Sequence, residues 1–261
     1  MRIDRTSVQK RGGEQQLVAS ERVAAGDLLV EEAPVVSIPH QVRYAYGSYS
    51  WDLVDRILKD RELLQRYGRL KLHVTEFLMD PLDLAAEAQL VKVHKKSRQL
   101  VRNLFFSVGT NNIGVLDDLG SVVGYGLYDK LSRSDHSCRP NAHLAPGRTE
   151  PDQMSLVASQ DIEAGQPVTW SYFRETEFLP QDYETRNMAL VNLYRFVCRC
   201  PRCCAEMPPE LKGSPRLLEH FDQLLYAQAV ELATTPGGLQ HAIDQSPMAV
   251  HRRQLEMQGK G

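Results

Sequence analysis

The sequence predicts an α+β fold built from short strands, a helical insert, a cysteine-rich segment and a C-terminal helix. Three observations carry this prediction. The first forty residues alternate apolar stretches with turn residues, the apolar pattern becomes helical after Trp51, and cysteines cluster near residue 200. At 261 residues the chain is long enough for one substantial core.

The first predicted element is a set of short strands in residues 1–40. The run LVASERVAAGDLLVEEAPVVSIP interrupts apolar stretches with glycine and proline, which favour tight turns over a helix interior. Strand-like composition returns near Asn111 and continues to the run PVTWSYF. A mainly β region is therefore expected to be split into two parts.

The interruption is predicted to be helical. Trp51, Val54 and Ile57 recur at helical spacing, and a second such stretch runs from about Leu84 to Phe106. The predicted organisation has five segments, listed in chain order: the first strands (1–40), the helical insert (41–106), the second β part (107–175), the cysteine segment (176–210), and the C-terminal helix with its tail (211–261).

The C-terminal segment is predicted to contain one amphipathic helix. Apolar residues recur at helical spacing from Leu217 to Leu232, and Pro236-Gly237-Gly238 is expected to end the helix. The remaining residues are polar and read as a solvated tail.

Four cysteines suggest a zinc site. Cys198, Cys200 and Cys203 stand together in FVCRCPRC, and Cys138 lies alone upstream in DHSCRPN. A closed structural zinc site takes four thiolate or imidazole ligands, and short spacings let one loop supply most of them. The predicted ligands are Cys138, Cys198, Cys200 and Cys203. The alternative is that Cys138 is a small buried residue and the cluster forms disulfides or unused thiols.

Composition narrows the partners and the compartment. A net charge of −2 gives no general attraction to nucleic acid or anionic membrane, and no run of eighteen apolar residues is present. The short basic run HKKSR is typical of a solvated helix face, so direct nucleic-acid binding is disfavoured. The leftover Cys204 and the polar start MRIDRTSVQK favour a reducing, intracellular compartment.

Three motifs together resemble a known family. GYGLYDKLSRSDHSCRPNAHL, ASQDIEAGQPVTWSYF and FVCRCPRC, in this order, resemble the SET domain of protein-lysine methyltransferases, and within it the SET-and-MYND group. The resemblance covers roughly residues 10–40 and 100–204 and implies small β-sheets with a pseudoknot, in which the DHSC segment threads near a later strand. The MYND zinc finger is lacking, because residues 41–100 contain no cysteine.

The resemblance implies an S-adenosylmethionine-dependent protein-lysine methyltransferase with one structural zinc ion. Its implied partners are a histone tail or another protein substrate, and proteins of a chromatin complex. A free lysine has a pKa near ~10.4, so an aromatic channel must favour the neutral amine that accepts the methyl group.

The resemblance also implies roles for individual residues. Tyr172 matches the catalytic tyrosine, although an isolated tyrosine on a strand is more often a core residue. Tyr194 is expected to line the lysine channel and Phe196 to stack on adenine. Asn111 matches an asparagine that contacts the cofactor, with Asn112 beside it leaving the register open.

In the DHSCRPN motif, the resemblance gives His136 a cofactor contact through its backbone. The Pro-Asn pair that ends the motif is typical of a turn, and we interpret Asn141 as structural.

Two departures from the family pattern affect the cofactor site. The family loop reads Gly-x-Gly-x-Gly before a leucine, whereas here Gly12 and Gly13 precede Glu-Gln-Gln and Leu17. Asp135 replaces an asparagine and brings a negative charge near the cofactor carboxylate, which Arg133 is placed to offset. The alternative function is therefore a catalytically weak or inactive SET-fold module that binds a histone tail or a partner protein in a chromatin regulatory complex.

Overall fold

The computed structural model describes residues 4–11, 14–41, 44–70, 79, 81–148, 150, 152–173 and 175–235. The chain divides into two compact units. They are Met1–Gln181 with Cys198–Glu206, and Asp182–Val197 with Met207–Gly261. The described residues form ten strands and eight α-helices, so the predicted α+β class is confirmed.

The strands are short and belong to the first unit. They are β1 (Thr6–Arg11), β2 (Glu14–Ala19), β3 (Leu28–Glu32), β4 (Val36–Pro39), β5 (Ile113–Leu116), β6 (Val122–Leu127), β7 (Asp135–His136), β8 (Ala142–Pro146), β9 (Met154–Ala158) and β10 (Thr169–Trp170). β1 and β2 form a hairpin. Two antiparallel sheets have the orders β3-β9-β8 and β4-β6-β5, and β7 pairs with β10 in parallel.

Two glycines explain local features of these sheets. Gly26 adopts φ +87° in the turn before β3, a conformation that side chains disfavour. Gly124 lets β4 approach β6 closely, because a Cβ atom there would lie 2.7 Å from the carbonyl oxygen of Ile38. The alternation predicted from the first forty residues therefore corresponds to real strands and turns.

The pairing of β7 with β10 brings the DHSC segment beside the later strand. Trp170 is in register with His136, and the Ser137 amide donates to the Trp170 carbonyl at 3.0 Å. This is the arrangement that the family resemblance implied for the pseudoknot.

A first hydrophobic core joins the β3-β9-β8 sheet to the hairpin and to the segments around β7 and β10. Its fully buried members include Leu17, Leu29, Leu131, Met154 and Leu156. Burial of side chains of this size contributes roughly 1.5–3 kcal/mol each. This core fixes the strands from which the site residues extend.

The helical insert has a second core of its own. Its helices are α1 (Tyr49–Lys59), α2 (Arg61–Leu70), α3 (Pro81–His94) and α4 (Arg98–Asn111). Trp51 is fully buried, stacks on Phe105 at a centroid distance of 3.8 Å, and donates its indole N–H to Asp83 at 2.8 Å. The bonded indole N–H is what allows so large a polar ring to be buried.

The stretch predicted to be helical from Leu84 to Phe106 is two helices, because the backbone breaks after His94. Lys95 adopts a left-handed conformation with φ 52°, and Ser97 then caps α4 by accepting the Leu100 amide at 3.3 Å. Apolar residues occur on both sides of the break, so the sequence pattern did not reveal it.

The remaining helices are α5 (Glu175–Phe178), α6 (Tyr183–Tyr194), α7 (Pro201–Glu206) and α8 (Leu217–Thr234). In the second unit, Arg195 ends α6 in a left-handed conformation, and its guanidinium binds Asp222 of α8 through two bonds of 2.6 and 2.9 Å. The helix predicted from Leu217 is α8, whereas Pro236-Gly237-Gly238 lies outside the described residues. Within the described part of the chain, every helix is too short or too polar to cross a membrane.

Candidate functional site

The four predicted ligand cysteines lie together. Their sulfur atoms are all within 4.8 Å of one another, and none of the five cysteines, all of which lie in the described residues, is in a disulfide. A tetrahedron with Zn–S distances of about 2.3 Å has edges of about 3.8 Å, so the cluster fits a zinc ion. The structure contains no disulfide in this cluster, in contrast to the alternative that the sequence left open.

The cluster is held by short local contacts. Cys138 follows β7, whereas Cys200 and Cys203 flank the start of α7, where the Cys203 amide points at the Cys200 sulfur at 3.5 Å. Cys138, Cys198 and Cys203 are buried, and Cys204 is exposed and donates to the Arg199 carbonyl instead. The leftover cysteine therefore lies outside the cluster, as the spacing predicted.

Crowding of the four thiols moves their pKa values in opposite directions. Hydrogen bonds with Cys138 and then with Cys198 and Cys203 lower the pKa of Cys200. Hydrogen bonds with Cys138 and then with Cys200 and Cys203 raise the pKa of Cys198. A set of close sulfurs that contains a stabilised thiolate is suited to a soft divalent cation.

His136 lies between the cysteine cluster and Tyr172. Its Nε2 atom is 3.3 Å from the Cys138 sulfur, and its Nδ1 atom accepts the backbone N–H of Tyr172 at 3.1 Å. The ring is buried and packs edge-on against Tyr172 and Phe178, with centroid distances of 5.3 and 5.6 Å. The sequence analysis gave this side chain no role, whereas in the structure both of its nitrogens have a hydrogen-bond partner.

Tyr172 follows β10 and is fixed at its hydroxyl. The hydroxyl donates to the Ser134 carbonyl at 3.0 Å, and the ring is half-buried beside Trp170, with a centroid distance of 5.3 Å. Because the phenolic proton points at a backbone carbonyl, the oxygen lone pairs are the groups that can face a substrate. No sequence pattern signalled Ser134, since it contributes a backbone atom.

Asn141 joins the two chain segments that carry these residues. Its side-chain amide donates to the Pro167 carbonyl at 2.8 Å, and its side-chain oxygen accepts the Thr169 amide at 2.8 Å and the Thr169 hydroxyl at 3.2 Å. These bonds agree with the structural interpretation of Asn141.

Asp135 and Arg133, which the sequence analysis related through their charges, each contact other side chains in the structure. The Gln16 amide nitrogen donates to the Asp135 carboxylate, while the Gln16 side-chain oxygen is buried and has no hydrogen-bond partner among the described residues. Arg133 forms an ion pair with Asp129 and donates to Gln15 at 2.8 Å. Gln16, which stands where the family pattern has a glycine, therefore reaches Asp135, and its neighbour Gln15 reaches Arg133; the sequence analysis missed both contacts.

The cofactor roles of the other predicted residues, Asn111, Gly12 and Gly13, stay predictions. Asn111 lies at the end of α4, where its side chain donates to the Ser107 carbonyl at 2.8 Å and its own carbonyl accepts the Ser132 hydroxyl at 2.8 Å. Gly12 and Gly13 lie outside the described residues.

The two aromatic residues predicted to line the site near the cysteine segment belong to the second unit. The rings of Tyr194 and Phe196 lie 6.5 Å apart there. Their roles as channel residue and adenine-stacking residue stay predictions.

Comparison with known proteins identifies the domain type. The SET domain model matches residues 15–173. The chain is 37% identical over 86 residues to the protein-lysine N-trimethyltransferase SMYD5 of Gallus gallus, covering 32% of this chain and 19% of that protein.

Two further relatives show the same pattern. The N-lysine methyltransferase SMYD2-B of Xenopus laevis is 24% identical over 164 residues, covering 63% of this chain and 36% of the relative. The histone-lysine N-methyltransferase SMYD3 of Mus musculus is 31% identical over 99 residues, covering 38% and 22%. The matched parts thus span about a third or less of each of these three relatives.

Proposed function

Since this chain belongs to the SET-domain family, we propose that it is an S-adenosylmethionine-dependent protein-lysine methyltransferase. The observation that carries the proposal is Tyr172, whose hydroxyl is held by the Ser134 carbonyl beside the DHSC segment. The relatives, all named as lysine methyltransferases, support the same reaction class.

In this proposal Tyr172 aligns the substrate amine. Its ring and that of Trp170 offer an apolar surface that removes water from the lysine side chain, and loss of water lowers the pKa of an amine. The neutral amine then has the lone pair that the methyl group must meet. Positioning of this kind is a large part of catalysis in transfer reactions.

The surroundings of Asp135 fit the amino-acid end of the cofactor. The Asp135 carboxylate and the unpartnered, buried oxygen of Gln16 are two acceptors close together, which suits an ammonium group. S-adenosylmethionine, when bound, supplies the activated methyl group. Asn111, His136, Phe196 and the loop with Gly12 and Gly13 are the other residues that we propose to hold it.

The remaining parts of the proposal follow from the family. The proposed ligands of one structural zinc ion are Cys138, Cys198, Cys200 and Cys203. Tyr194 would line the lysine channel, and the five-segment division stays a prediction. The proposed substrates are histone tails or other proteins, including partners in a chromatin complex, and the proposed location is the nucleus or the cytoplasm.

The test measures cofactor binding and turnover separately. Calorimetry with S-adenosylmethionine should give a micromolar dissociation constant, and methyl transfer to histones or co-purifying proteins should follow. Tyr172→Phe should bind the cofactor like the wild type but lose most of the transfer rate, whereas Tyr226→Phe, on an exposed face of α8, should lose neither. Absence of cofactor binding at millimolar concentration would instead favour the non-catalytic binding module.

A further inference from the structure

We propose that His136 is a positioning residue that couples the four-cysteine cluster to Tyr172. The proposal rests on the function proposed for Tyr172 above. It gives a role to the side chain of His136, whereas the cofactor contact proposed for this residue is through its backbone. Its basis is a continuous set of contacts from the Cys138 sulfur through the imidazole ring to the backbone of Tyr172.

The hydrogen bonds fix where the ring proton lies. Nδ1 faces the backbone N–H of Tyr172, and because an amide can only donate, Nδ1 must be the unprotonated nitrogen. The proton of a neutral ring therefore lies on Nε2 and points at the Cys138 sulfur, 3.3 Å away. A thiolate that accepts an N–H bond is oriented by it in the way that outer-shell partners orient metal ligands.

The same ring extends a very short strand pairing. β7 and β10 pair over two residues only, ending with the match of His136 to Trp170. Beyond this match, the amide of Tyr172 donates to the His136 ring, which continues the connection between the two segments. Tyr172 is thus held by its amide through His136 and by its hydroxyl through Ser134.

Burial makes this arrangement rigid. His136 is 8% exposed, and Phe173 and Phe178 surround the ring edge-on with interplanar angles of 85° and 78°. A ring enclosed in this way cannot rotate to exchange its two nitrogens without disturbing its neighbours. Occupancy of the cluster and the position of Tyr172 are therefore linked through one side chain.

Two conservative variants separate the two contacts. The amide of His136→Asn can place its oxygen near the position of Nδ1, which keeps the acceptor for Tyr172 but loses the donor to Cys138. His136→Gln can place its amide nitrogen near the position of Nε2, which keeps the donor to Cys138 but loses the acceptor. His136→Phe removes both contacts, and His143→Gln, on the exposed side of β8, is the control.

The experiment uses the zinc-loaded 261-residue chain and three readouts. Zinc release to a colorimetric chelator should be about 10- to 100-fold faster in His136→Asn and His136→Phe and unchanged in His136→Gln. Hydrogen exchange of the Tyr172 amide, followed by NMR, should accelerate in His136→Gln and His136→Phe and stay slow in His136→Asn. If the protein is a methyltransferase, kcat should fall about tenfold with the loss of the Tyr172 contact, at unchanged cofactor affinity.

Nitrogen NMR of the wild-type ring tests the proposal even if a variant fails to fold. A proton on Nε2 supports it, and a proton on Nδ1 overturns it. The proposal is also overturned if His136→Phe folds and leaves both zinc release and Tyr172 exchange at wild-type values. Neither result depends on turnover, so a failure of the methyltransferase proposal would be recognised separately by the calorimetric test.

Discussion

Lowering the pH should stabilise this protein through one buried carboxyl group, that of Glu32 in β3. The side chain is 6% exposed, and its carboxylate accepts the Lys130 amide at 3.0 and 3.1 Å and the Leu131 amide at 3.2 Å. Burial outweighs these bonds and raises the pKa of Glu32 to about 7 from a usual value of 4.5. The bonded amides begin the turn that leads to Ser134 and Asp135, so Glu32 also supports the candidate site.

The direction and size of the effect follow from the shift. Because the folded protein holds this proton more tightly than the unfolded chain, the stabilisation is complete below pH 4.5 and is lost as the pH rises through 7. A shift from 4.5 to about 7 corresponds to about 3 kcal/mol in total, at roughly 1.4 kcal/mol for each unit of pKa. Between pH 5 and pH 8 the expected loss is about 2.5 kcal/mol.

Glu32→Gln is the matched perturbation, since glutamine mimics the protonated carboxyl group at every pH. We expect urea unfolding to show that, from pH 5 to pH 8, the free energy of unfolding of the wild type falls by about 2.5 kcal/mol more than that of the variant. Comparing the two proteins cancels the loss of zinc that acid causes in both. Glu163→Gln removes an exposed carboxylate and controls for net charge. If the difference in unfolding free energy between the wild type and Glu32→Gln is the same at pH 5 and pH 8, the reasoning is refuted.

Three further predictions address the site and its support. Asp135→Ala should weaken S-adenosylmethionine binding at least about tenfold by calorimetry, because it removes an acceptor for the ammonium group. Asp118→Ala, at an exposed position, is the control, and an unchanged affinity of Asp135→Ala would contradict the proposed ammonium contact. Cys138→Ser should contain no zinc by elemental analysis and should unfold at a lower temperature, whereas Cys204→Ser should keep the zinc content and unfolding temperature of the wild type. Equal zinc contents in the two variants would show that the cluster is not the metal site. Asn141→Ala should lower the free energy of unfolding in urea by about 2–3 kcal/mol because it leaves the Pro167 and Thr169 groups unpaired. Asn103→Ala, which removes an exposed hydrogen bond within α4, is the control, and an equal cost in the two variants would show that Asn141 does not join the segments.

Local patterns allowed part of this structure to be predicted from the sequence. Strand and helix periods come from the geometry of each element, so the strands before Pro39 and the helix beginning at Leu217 could be located from side-chain spacing. The cysteine cluster could be predicted because zinc demands four ligands and three of them share one short segment. The position of Tyr172 beside the DHSC segment required the family resemblance, since no local rule pairs β7 with β10.

Other parts of the site depend on contacts that no local pattern contains. Gln16 meets Asp135 across 119 residues, and a glutamine in a strand carries no sign of its distant partner. Ser134 contributes a carbonyl oxygen, which every residue possesses, so its identity gives no signal. The break after His94 depends on the left-handed backbone of Lys95, a conformation that a lysine rarely adopts and that its neighbours impose.

The two anchors of Tyr172 come from one segment of the chain, and its hydroxyl reaches a carbonyl 38 residues earlier. The pairing of β3 with β9 closes a much longer loop, from Leu28 to Val157, and so costs more chain entropy than anchoring the tyrosine. The residues just before Tyr172, Val168 and Trp170, pack on the core that this sheet builds. Heating that opens the sheet should therefore release the tyrosine in the same step.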